Sequence, residues 1–361
     1  MLKLLELFSG IGAQRMALDR LGVAYKSVGI SEISRPAIRA YEQIHGDLDN
    51  LGDITRQDAL PDCDMLTYSF PCQDLSKAGF RRGMDRGTGT RSGLLWEVER
   101  LLKGAGHLPD FLVMENVVQV HSPANAGAWR DWIASLSLLG YTSSWADINA
   151  ADHGIPQHRE RCIMISRRDG HVWVPPRPRP LRRALRDVLE EGPIGREYYI
   201  QPDRMRTLLT HHEMTATYCH KIGMIEGRYE ISRRVYATDA CAPAVTVWAS
   251  SRNNGIKILD DRGGLSYTPA DGEPMSVEEV PPVRRLTPRE CWRLMDMYAP
   301  DGHEYYDDLV SDDPRDGVGI SPGQRVALAG NSICVGVLVD CFRGLLGRQS
   351  PTLDMWGVML H

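Results

Sequence analysis

The stretch that decides the fold is Leu2-Lys3-Leu4-Leu5-Glu6-Leu7-Phe8-Ser9-Gly10-Ile11-Gly12. Its apolar residues form a short run that predicts a β-strand over Leu2–Phe8. The glycines that follow permit a tight turn, and they let backbone amides approach a ligand at the start of a helix. A helical pattern then covers Ala13–Leu21 and ends at Gly22, a residue typical of helix ends. The opening segment therefore predicts a strand, a glycine turn and a helix.

The same alternation of short apolar runs and helical patterns continues through the first half of the chain. Further strands are predicted at Val23–Ile30, Asp64–Ser69, Phe111–Met114, Tyr141–Ile148 and Arg161–Ser166. Helices are predicted at Pro36–Ile44, Gly93–Leu102 and Trp129–Leu139. Strands that alternate with helices are the signature of an α/β fold with a mostly parallel sheet. We therefore expect a Rossmann-like α/β domain.

The character of the chain changes at Val174-Pro175-Pro176-Arg177-Pro178-Arg179-Pro180. Prolines at this density cannot continue a helix or a central strand, so we expect a domain boundary here. Residues 1–170 would form one domain and residues 171–320 a smaller one. Thr287 and Pro288 predict the start of a helix within the smaller domain. A last apolar helix, Ser332–Leu346, would lie in a C-terminal segment, 321–361.

The composition is that of an ordinary globular protein. The 361 residues are 42% hydrophobic and 25% charged, with 42 basic and 47 acidic residues and a formal net charge of -5. A nucleic-acid partner would therefore require basic side chains concentrated on one face. None of the eight cysteines has the CxxC spacing of a zinc site, and no apolar run is long enough to cross a membrane. We expect no metal, no membrane contact and a reducing cytoplasmic location.

The glycine turn departs from the dinucleotide-binding fingerprint. Arg15 occupies the third glycine position, so a ligand without pyrophosphate, such as S-adenosylmethionine, fits better. Glu32 follows the second predicted strand, where an acid binds ribose hydroxyls. Asp53 lies near the end of the third strand region, where a carboxylate can accept from an adenine amino group. Each acid alone is more often a loop acid or a helix cap, but with Phe8 and the glycines they favour a cofactor site.

Two motifs place a cysteine and a glutamate at the ends of neighbouring predicted strands. Cys72 lies in Phe70-Pro71-Cys72-Gln73, and Glu115 lies in Met114-Glu115-Asn116-Val117. A thiolate can add to C6 of a pyrimidine while a carboxyl group holds N3, which makes C5 reactive. A lone Pro-Cys is usually structural and a lone Glu-Asn is usually a cap. The prediction therefore rests on the joint occurrence of the two motifs in this order.

Neighbouring charged and polar residues are expected to tune both groups. Arg159 and Arg161, in Gln157-His158-Arg159-Glu160-Arg161, would favour the Cys72 thiolate. Burial would raise the pKa of Glu115, and Asn116 would position that residue. His158 is interpreted as a spacer and not as a metal ligand. The predicted catalytic set is Cys72, Glu115, Asn116, Arg159 and Arg161.

Six ordered motifs resemble those of the DNA (cytosine-5) methyltransferase family. They are Leu7-Phe8-Ser9-Gly10-Ile11-Gly12 (motif I), Ser69-Phe70-Pro71-Cys72-Gln73 (IV), Glu115-Asn116-Val117 (VI), Gln157-His158-Arg159-Glu160-Arg161 (VIII), Arg285-Leu286-Thr287-Pro288-Arg289-Glu290 (IX) and Gly330-Asn331-Ser332 (X). The segment between motifs VIII and IX lacks a clear match, and there the family keeps its target recognition domain. The resemblance implies a class I methyltransferase fold in which residues 321–361 return to the catalytic and cofactor-binding domain, 1–170.

The resemblance also implies how ligands are held. Cytosine would be flipped out of double-stranded DNA and attacked by Cys72, with S-adenosylmethionine as methyl donor. The cofactor residues would be Phe8, Ser9, Gly10, Gly12, Glu32, Asp53, Ile54, Pro71, Leu94, Asn331 and Ser332. The DNA contacts would be Gln73, Ser76, Arg82, Thr246, Arg252 and Asn253. Two features depart from the family pattern: Ile33 replaces a frequent aromatic residue, and the segment 304–313 is acidic.

Other functions are weighed against this one. An RNA (tRNA) cytosine-5 methyltransferase shares the fold, but the Cys-Phe-Thr signature of the tRNA-modifying relatives is absent. A catalytically silent DNA-binding member would not need Cys72, Glu115 and Arg161. Arg15 and the Pro-Cys motif disfavour a nicotinamide-dependent oxidoreductase. We expect a monomer in a bacterial cytoplasm or encoded by a phage, and a cognate restriction endonuclease would not be required for its activity.

Overall fold

A computed structural model describes most of the chain. The described residues are 1–46, 49–75, 83–87, 89–200, 213–215, 218–225, 230–250, 255–260 and 283–347. Four of the predicted DNA contacts, Ser76, Arg82, Arg252 and Asn253, lie outside these residues.

A six-stranded sheet forms the centre of the larger domain. Its strands are β1 (Leu2–Leu7), β2 (Tyr25–Ser31), β3 (Met65–Tyr68), β4 (Phe111–Asn116), β5 (Thr142–Asn149) and β7 (Glu160–Arg167). The short strand β6 (Gln157–His158) lies between β5 and β7 in the chain but outside this sheet. The strand order is β2-β1-β3-β4-β7-β5. The first four strands are mutually parallel, whereas β7 runs antiparallel to β4 and β5. The predicted α/β class with a mostly parallel sheet is therefore confirmed, and the residues after β1, β3 and β4 meet at one edge.

Helices cover both faces of this sheet. α1 (Ala13–Arg20) and α2 (Arg35–His45) pack on one face, and α3 (Leu95–Gly104) and α4 (Ala126–Leu138) pack on the other. The alternation of side chains along β1 supplies both cores: Leu4 points to the first face, and Leu5 and Leu7 point to the second. A strand buried on both faces reads as a nearly continuous apolar run, which is why this stretch predicts the fold.

A smaller five-stranded sheet follows in the chain. It contains β8 (Glu213–Thr215), β9 (Cys219–Met224), β10 (Arg234–Tyr236, after the one-turn helix α5, Glu230–Arg233), β12 (Lys257–Leu259) and β13 (Val283–Arg285). Their order is β13-β12-β10-β9-β8. The remaining strand, β11 (Ala242–Pro243), pairs in parallel with β6. The motif that begins at Gln157 therefore forms a direct backbone contact with the segment that carries Thr246.

Three helices end the described chain and join the main core. They are α6 (Pro288–Leu294), α7 (Pro322–Asn331) and α8 (Val335–Leu346), and α8 packs against α1. A capping box between Thr287 and Glu290 begins α6, at the predicted cap. The run Pro322–Leu346 is long and apolar enough to cross a membrane by composition, but 83% of its most apolar window is buried inside the molecule. Burial of that extent is typical of a core helix.

One prediction of local structure is wrong. Within the described residues no strand ends at Asp53, which instead caps a 3₁₀ turn, Ile54–Arg56. The preceding residues contact β2 individually: the Leu51 amide donates to the Ile30 carbonyl at 2.7 Å, and the Ser31 hydroxyl donates to the Gly52 carbonyl at 2.6 Å. Asp53 therefore comes close to the end of β2 through loop contacts and not through a sheet ladder.

Candidate active site

Cys72 lies on a turn at the sheet edge where β1, β3 and β4 end, and three hydrogen bonds stabilise this turn. The Asn116 side-chain amide donates to the Phe70 carbonyl at 2.9 Å, and the Ser92 hydroxyl donates to the Pro71 carbonyl at 2.6 Å. The Leu75 amide donates to the Cys72 carbonyl at 3.0 Å, which closes the turn. Of the eight cysteines, all of which the structure describes, Cys72 alone is partly exposed. Its sulfur is therefore the one that a substrate can reach.

Glu115 and Arg161 form an ion pair next to this turn. Arg161 Nε lies 3.0 Å from Glu115 Oε1, and Glu115 is 8% exposed. The pair follows from the strand register: Glu115 faces Ile163 on β7, so Arg161 lies two residues away on the same side of the sheet. The hydroxyl of Ser69, at the end of β3, also hydrogen-bonds to the Glu115 carboxylate. Three neighbouring strands therefore bring a thiol, a carboxyl group and a cation to one place.

Burial dominates the proton affinity of both reactive groups. It raises the pKa of the Cys72 thiol, the charge of Glu115 raises that pKa further, and Arg161 and Arg159 lower it by less. Burial also raises the pKa of Glu115, against the lowering effect of Arg161 and Arg159. The raised carboxyl pKa agrees with the expectation. Arg159 and Arg161 lower the Cys72 pKa as expected, but loss of solvent around the sulfur outweighs their effect.

Arg159 directs its hydrogen bonds to main-chain carbonyls. Nη1 donates to Val245 at 2.7 Å, and Nη2 donates to Gly330 at 3.0 Å and to Ser332 at 2.6 Å. The side chain is almost fully buried, and burial together with the charge of Arg161 lowers its pKa to about 10. Arg159 thus acts on Cys72 through its charge, while its hydrogen-bonding groups hold the backbone of two other segments.

The glycine turn has the backbone conformation that its sequence requires. Gly12 has φ of 76°, and a Cβ there would lie 2.5 Å from His45 Nε2 and 2.8 Å from the Tyr41 ring. Phe8 also has a positive φ, of 55°, which is uncommon for a residue with a side chain. Ser9 is 4% exposed, and its hydroxyl has no hydrogen-bond partner among the described residues. A buried hydroxyl without a partner beside a helix start is a feature that a polar ligand would satisfy.

Glu32 and Asp53 both bind nearby backbone. The Glu32 carboxylate accepts from the amides of Gly10 at 3.0 Å, Ile33 at 2.9 Å and Ser34 at 2.8 Å. One oxygen of Asp53 accepts from the amide of Thr55 at 2.9 Å and from its hydroxyl at 2.8 Å, and these bonds lower the Asp53 pKa. Asp53 therefore caps the 3₁₀ turn and Glu32 is an acid of the loop before α2, which are the two alternatives given above for these residues. Glu32 in addition ties the end of β2 to the glycine turn.

The other predicted cofactor residues come from separate segments. Ile54 is buried next to Asp53, Pro71 precedes Cys72 and Leu94 is the residue before α3. Asn331 is exposed at the end of α7, and Ser332 follows it. The charges of Arg159, Arg161 and Glu115 all act on the thiol of Cys334, and Arg159 donates to the Ser332 carbonyl, so the turn between α7 and α8 lies near the Glu115–Arg161 pair.

Two predicted DNA contacts lie in the described part of the chain. Gln73 is exposed next to Cys72, and its side-chain oxygen accepts from the Arg91 guanidinium. Thr246 is exposed between β11 and the 3₁₀ turn Val247–Ser250. His158, interpreted as a spacer, stacks on the Tyr218 ring at 5.0 Å between centroids. This contact adds to the junction between β6 and the smaller sheet.

Three polar residues that the sequence did not single out belong to the site or support it. The Ser69 hydroxyl hydrogen-bonds to Glu115. Gln157 is wholly buried; its side-chain amide donates to the Leu294 carbonyl at 2.7 Å, and its side-chain oxygen accepts from the Val245 amide at 2.9 Å. Glu6, inside β1, accepts from the Tyr41 hydroxyl at 2.5 Å. Ser69 and Gln157 stand inside motifs quoted above, and Glu6 interrupts an apolar strand, so each had a visible signal in the sequence.

One cluster away from these residues carries possible metal ligands. His121, Asp147 and Cys162 have donor atoms within 4.8 Å of one another. His121 Nε2 already lies 2.8 Å from Asp147 Oδ1. Burial raises the pKa of the Cys162 thiol, and the charge of Asp147 raises it further. Since a metal requires the thiolate, this environment opposes binding, and we assign the cluster no role.

A mostly parallel sheet, a glycine turn after β1 and a Cys-Glu-Arg cluster at the same edge define an α/β methyltransferase. The family profile described as C-5 cytosine-specific DNA methylase matches residues 2–343. The chain therefore belongs to this family and is a DNA (cytosine-5) methyltransferase. The predicted family is confirmed, and the oxidoreductase alternative is wrong.

Individual relatives agree with this assignment. The orphan methyltransferase M.SssI of Spiroplasma monobiae is 31% identical over 325 residues, covering 72% of this chain and 82% of that protein. The type II methyltransferase M2.ScrFI of Lactococcus lactis is 27% identical and covers 97% of this chain and 100% of its own. Among solved structures, the Entamoeba histolytica methyltransferase EhMeth has a TM-score of 0.68 at 15% identity, covering 96% of this chain and 98% of its own. The Dnmt2 methyltransferase of S. pombe has a TM-score of 0.64 at 19% identity, covering 96% and 99%. These structures share the class I methyltransferase fold with this chain.

Proposed function

We propose that this enzyme transfers a methyl group from S-adenosylmethionine to C5 of cytosine in a specific sequence of double-stranded DNA. The base is flipped into the site, and Cys72 bonds covalently to C6. The observation that carries the proposal is the buried Glu115–Arg161 pair beside the partly exposed Cys72. A thiol, a carboxyl group and a cation at one sheet edge suit nucleophilic addition to a pyrimidine ring.

The covalent steps use residues of this chain in fixed roles. The Cys72 sulfur bonds to C6 while the C5–C6 double bond opens and its electron pair moves towards C5 and N3. Glu115 holds or protonates N3, which offsets the negative charge that the sulfur brings. C5 then takes the methyl group, which leaves S-adenosylhomocysteine. A base removes the C5 proton, the electron pair of that C–H bond restores the C5–C6 double bond, Cys72 leaves C6 as a thiolate, and the N3 proton returns to Glu115.

The directions of the two pKa shifts support these roles. Because burial raises the pKa of Glu115, this carboxyl group keeps its proton more readily than an exposed one and can give it to N3. When the proton has left, Arg161 lies 3.0 Å from the carboxylate and stabilises its charge. Burial and the charge of Glu115 both raise the Cys72 pKa, so they disfavour a free thiolate. Once Glu115 has given its proton to the ring, its carboxylate would therefore favour a sulfur bonded to C6 over a free thiolate.

The residues around the glycine turn fit the proposed methyl donor. When bound, S-adenosylmethionine supplies an electrophilic methyl group on a sulfonium sulfur. The Ser9 hydroxyl, buried and without a partner among the described residues, would take part in holding it. Glu32 and Asp53 would bind the sugar and the base, with Phe8, Gly10, Gly12, Ile54, Pro71, Leu94, Asn331 and Ser332 around them. Ile33 is 70% exposed beside Glu32, so it would cover the adenine with an aliphatic surface.

DNA is the substrate class of the family, and we propose a division of the chain to match. Residues 1–170 and 321–361 would carry catalysis and the cofactor, and residues 171–320 would recognise the target, with Thr246 and Gln73 among the contacts. All proposed site residues come from one chain, so a monomer suffices. The relatives come from bacteria and phages and include orphan and type II enzymes. We therefore propose a cytoplasmic enzyme that needs no restriction endonuclease for activity.

Replacement of the nucleophile tests the proposed function. Cys72→Ala should abolish cytosine methylation and leave donor binding intact, because only the sulfur that adds to C6 is lost. Bisulfite sequencing of a plasmid from cells that express each variant measures activity and also reveals the target sequence. The unsubstituted enzyme should in addition remain covalently bound to DNA that contains 5-fluorocytosine, since fluorine at C5 blocks release.

Cys63→Ala is the matched control, because Cys63 is a buried cysteine ahead of β3 and outside the site. It should methylate the plasmid as the unsubstituted enzyme does. Continued methylation by Cys72→Ala would overturn the covalent mechanism. Methylation of tRNA without methylation of the plasmid would support the RNA alternative, and absence of both would support a silent DNA-binding protein.

A further inference from the structure

The backbone of Val245 is held on both sides by side chains of one short segment. Gln157 Oε1 accepts from the Val245 amide at 2.9 Å, and Arg159 Nη1 donates to the Val245 carbonyl at 2.7 Å. Val245 and Gln157 are wholly buried, and Arg159 is 3% exposed. The residues just before Val245 already pair with β6 through Ala242. The segment that presents Thr246 is therefore fixed to the larger domain through buried hydrogen bonds.

The same arginine reaches the end of α7. Its Nη2 donates to the carbonyls of Gly330 and Ser332, so one guanidinium group bridges the Val245 segment and the turn after α7. The two segments also touch directly: a Cβ at Gly330 would lie 2.5 Å from the carbonyl carbon of Thr246 and 2.6 Å from the Val247 nitrogen. No side chain separates the two backbones at this point.

A lysine could not replace this bridge. The guanidinium group holds several donors in a rigid planar fork, and here the fork serves three carbonyls from two segments. An ammonium group keeps the positive charge but offers one compact donor centre at the end of a flexible chain. Since water cannot easily replace a lost partner at a buried carbonyl, loss of the fork should loosen one segment from the other.

We propose that Gln157 and Arg159 are positioning residues that couple DNA binding to methyl-donor binding. The inference rests on the proposed function, in which Thr246 contacts DNA and Asn331 and Ser332 contact the donor. DNA that fixes the Thr246 segment also fixes, through Arg159 and Gly330, the turn that closes on the donor. Coupling of this kind is reciprocal, so each ligand raises the affinity for the other by the same factor.

The test measures both affinities with and without the second ligand. A duplex with the target sequence is titrated by fluorescence anisotropy in the presence and absence of S-adenosylhomocysteine, and S-adenosylhomocysteine is titrated by calorimetry in the presence and absence of the duplex. In the unsubstituted enzyme each ligand should improve the affinity for the other about fivefold or more. In Arg159→Lys the factor should fall to about twofold or less.

Arg325→Lys is a matched control for Arg159→Lys. Arg325 is also a buried arginine that donates to main-chain carbonyls, to Ile320 at 2.9 Å and Leu309 at 3.4 Å, but its partners lie outside the junction. This variant should lower the thermal unfolding midpoint and keep the coupling factor. A merely structural role for Arg159 would give the same pattern in both variants.

Gly330→Ala tests the same junction by a different route, because its methyl group would push the Thr246 backbone away. It should reduce the coupling factor as Arg159→Lys does, which keeps the inference testable if Arg159→Lys does not fold. Gly344→Ala is its control: Gly344 lies inside α8, and the nearest atom to a Cβ there is the Val174 carbonyl oxygen at 3.6 Å.

Three outcomes overturn the inference. The first is that neither ligand improves the affinity of the unsubstituted enzyme for the other. The second is that Arg159→Lys and Gly330→Ala keep the full coupling factor. The third is that Arg325→Lys loses as much of the coupling factor as Arg159→Lys does. An unsubstituted enzyme that binds no S-adenosylhomocysteine or no DNA would instead refute the proposed function on which the inference rests.

Discussion

At the scale of single residues, Glu115 has two effects on the reaction that one substitution separates. Its charge raises the pKa of the Cys72 thiol, whereas its proton is proposed to serve N3 of the base. Glu115→Gln removes the charge, so the pKa of Cys72 should fall and iodoacetamide should alkylate Cys72 faster at a pH near 8. The same substitution should slow methyl transfer by roughly 10²- to 10⁴-fold, the usual contribution of a general acid.

Peptide mass spectrometry of Cys72 alkylation across a pH series, together with single-turnover methylation, measures both effects. Glu97→Gln is a suitable control, because Glu97 lies in α3 and pairs with Arg100 at 2.7 Å. It should leave the alkylation profile and the methylation rate unchanged. An unshifted alkylation profile in Glu115→Gln would refute the electrostatic link, and an unchanged methylation rate would refute the acid role.

At the scale of elements, the glycine turn between β1 and α1 depends on close packing against α2. In Gly12→Ala the new Cβ would collide with the side chains of His45 and Tyr41, both in α2, so either the turn or these side chains must move. We expect affinity for S-adenosylhomocysteine to fall about tenfold or more, which corresponds to a loss of about 1.4 kcal/mol. Gly22→Ala is the control, because Gly22 also has a positive φ, of 61°, but no atom lies within 4 Å of a Cβ there.

Gly22→Ala should cost only the backbone strain, about 1 kcal/mol of unfolding free energy, and leave the ligand affinity unchanged. Calorimetric titration and thermal unfolding of both variants measure the two quantities. Equal losses of affinity in the two variants would show that backbone strain, and not the collision with α2, controls the turn.

The same scale explains which elements the sequence could predict. The strand and helix of the opening unit were predicted to within about two residues, because apolar periodicity is a local property of the chain. The 3₁₀ turn after Asp53 was not predicted, since the segment before it is ordered by β2 and not by its own pattern. The carbonyl partners of Arg159 lie 86, 171 and 173 residues away, so no local pattern could reveal them.

At the scale of the whole molecule, a net charge of -5 has to be reconciled with a DNA substrate. The composition of the acidic segment 304–313 alone indicates a solvated insert. Glu304 instead accepts from both Arg289 and Arg293 in α6, and Asp307 pairs with Arg289. Each of these acids is paired with an arginine, so the ion pairs leave the net charge of the remaining surface unchanged, and DNA binding requires basic side chains concentrated on one face.

Glu6 makes the stability of the whole enzyme depend on pH. Burial raises its pKa from 4.5 to about 7, although the Tyr41 hydroxyl and the charge of Arg15 act in the opposite direction. Between these two values the folded protein keeps a proton that the unfolded chain has lost, so the free energy of unfolding falls as pH rises from about 4.5 to about 7. The fall is at most about 3.5 kcal/mol, since one pKa unit corresponds to about 1.4 kcal/mol.

Glu6→Gln removes this titration and keeps an oxygen that accepts from the Tyr41 hydroxyl. Its urea midpoint should therefore vary less between about pH 5 and pH 8 than that of the unsubstituted enzyme, and should be the higher of the two at pH 8. Glu97→Gln, which changes a more exposed carboxyl group, should keep the original pH dependence. If Glu6→Gln lost stability with rising pH as steeply as the unsubstituted enzyme, the buried carboxyl group would have to be ionised already at low pH, with Arg15 and Tyr41 outweighing its burial.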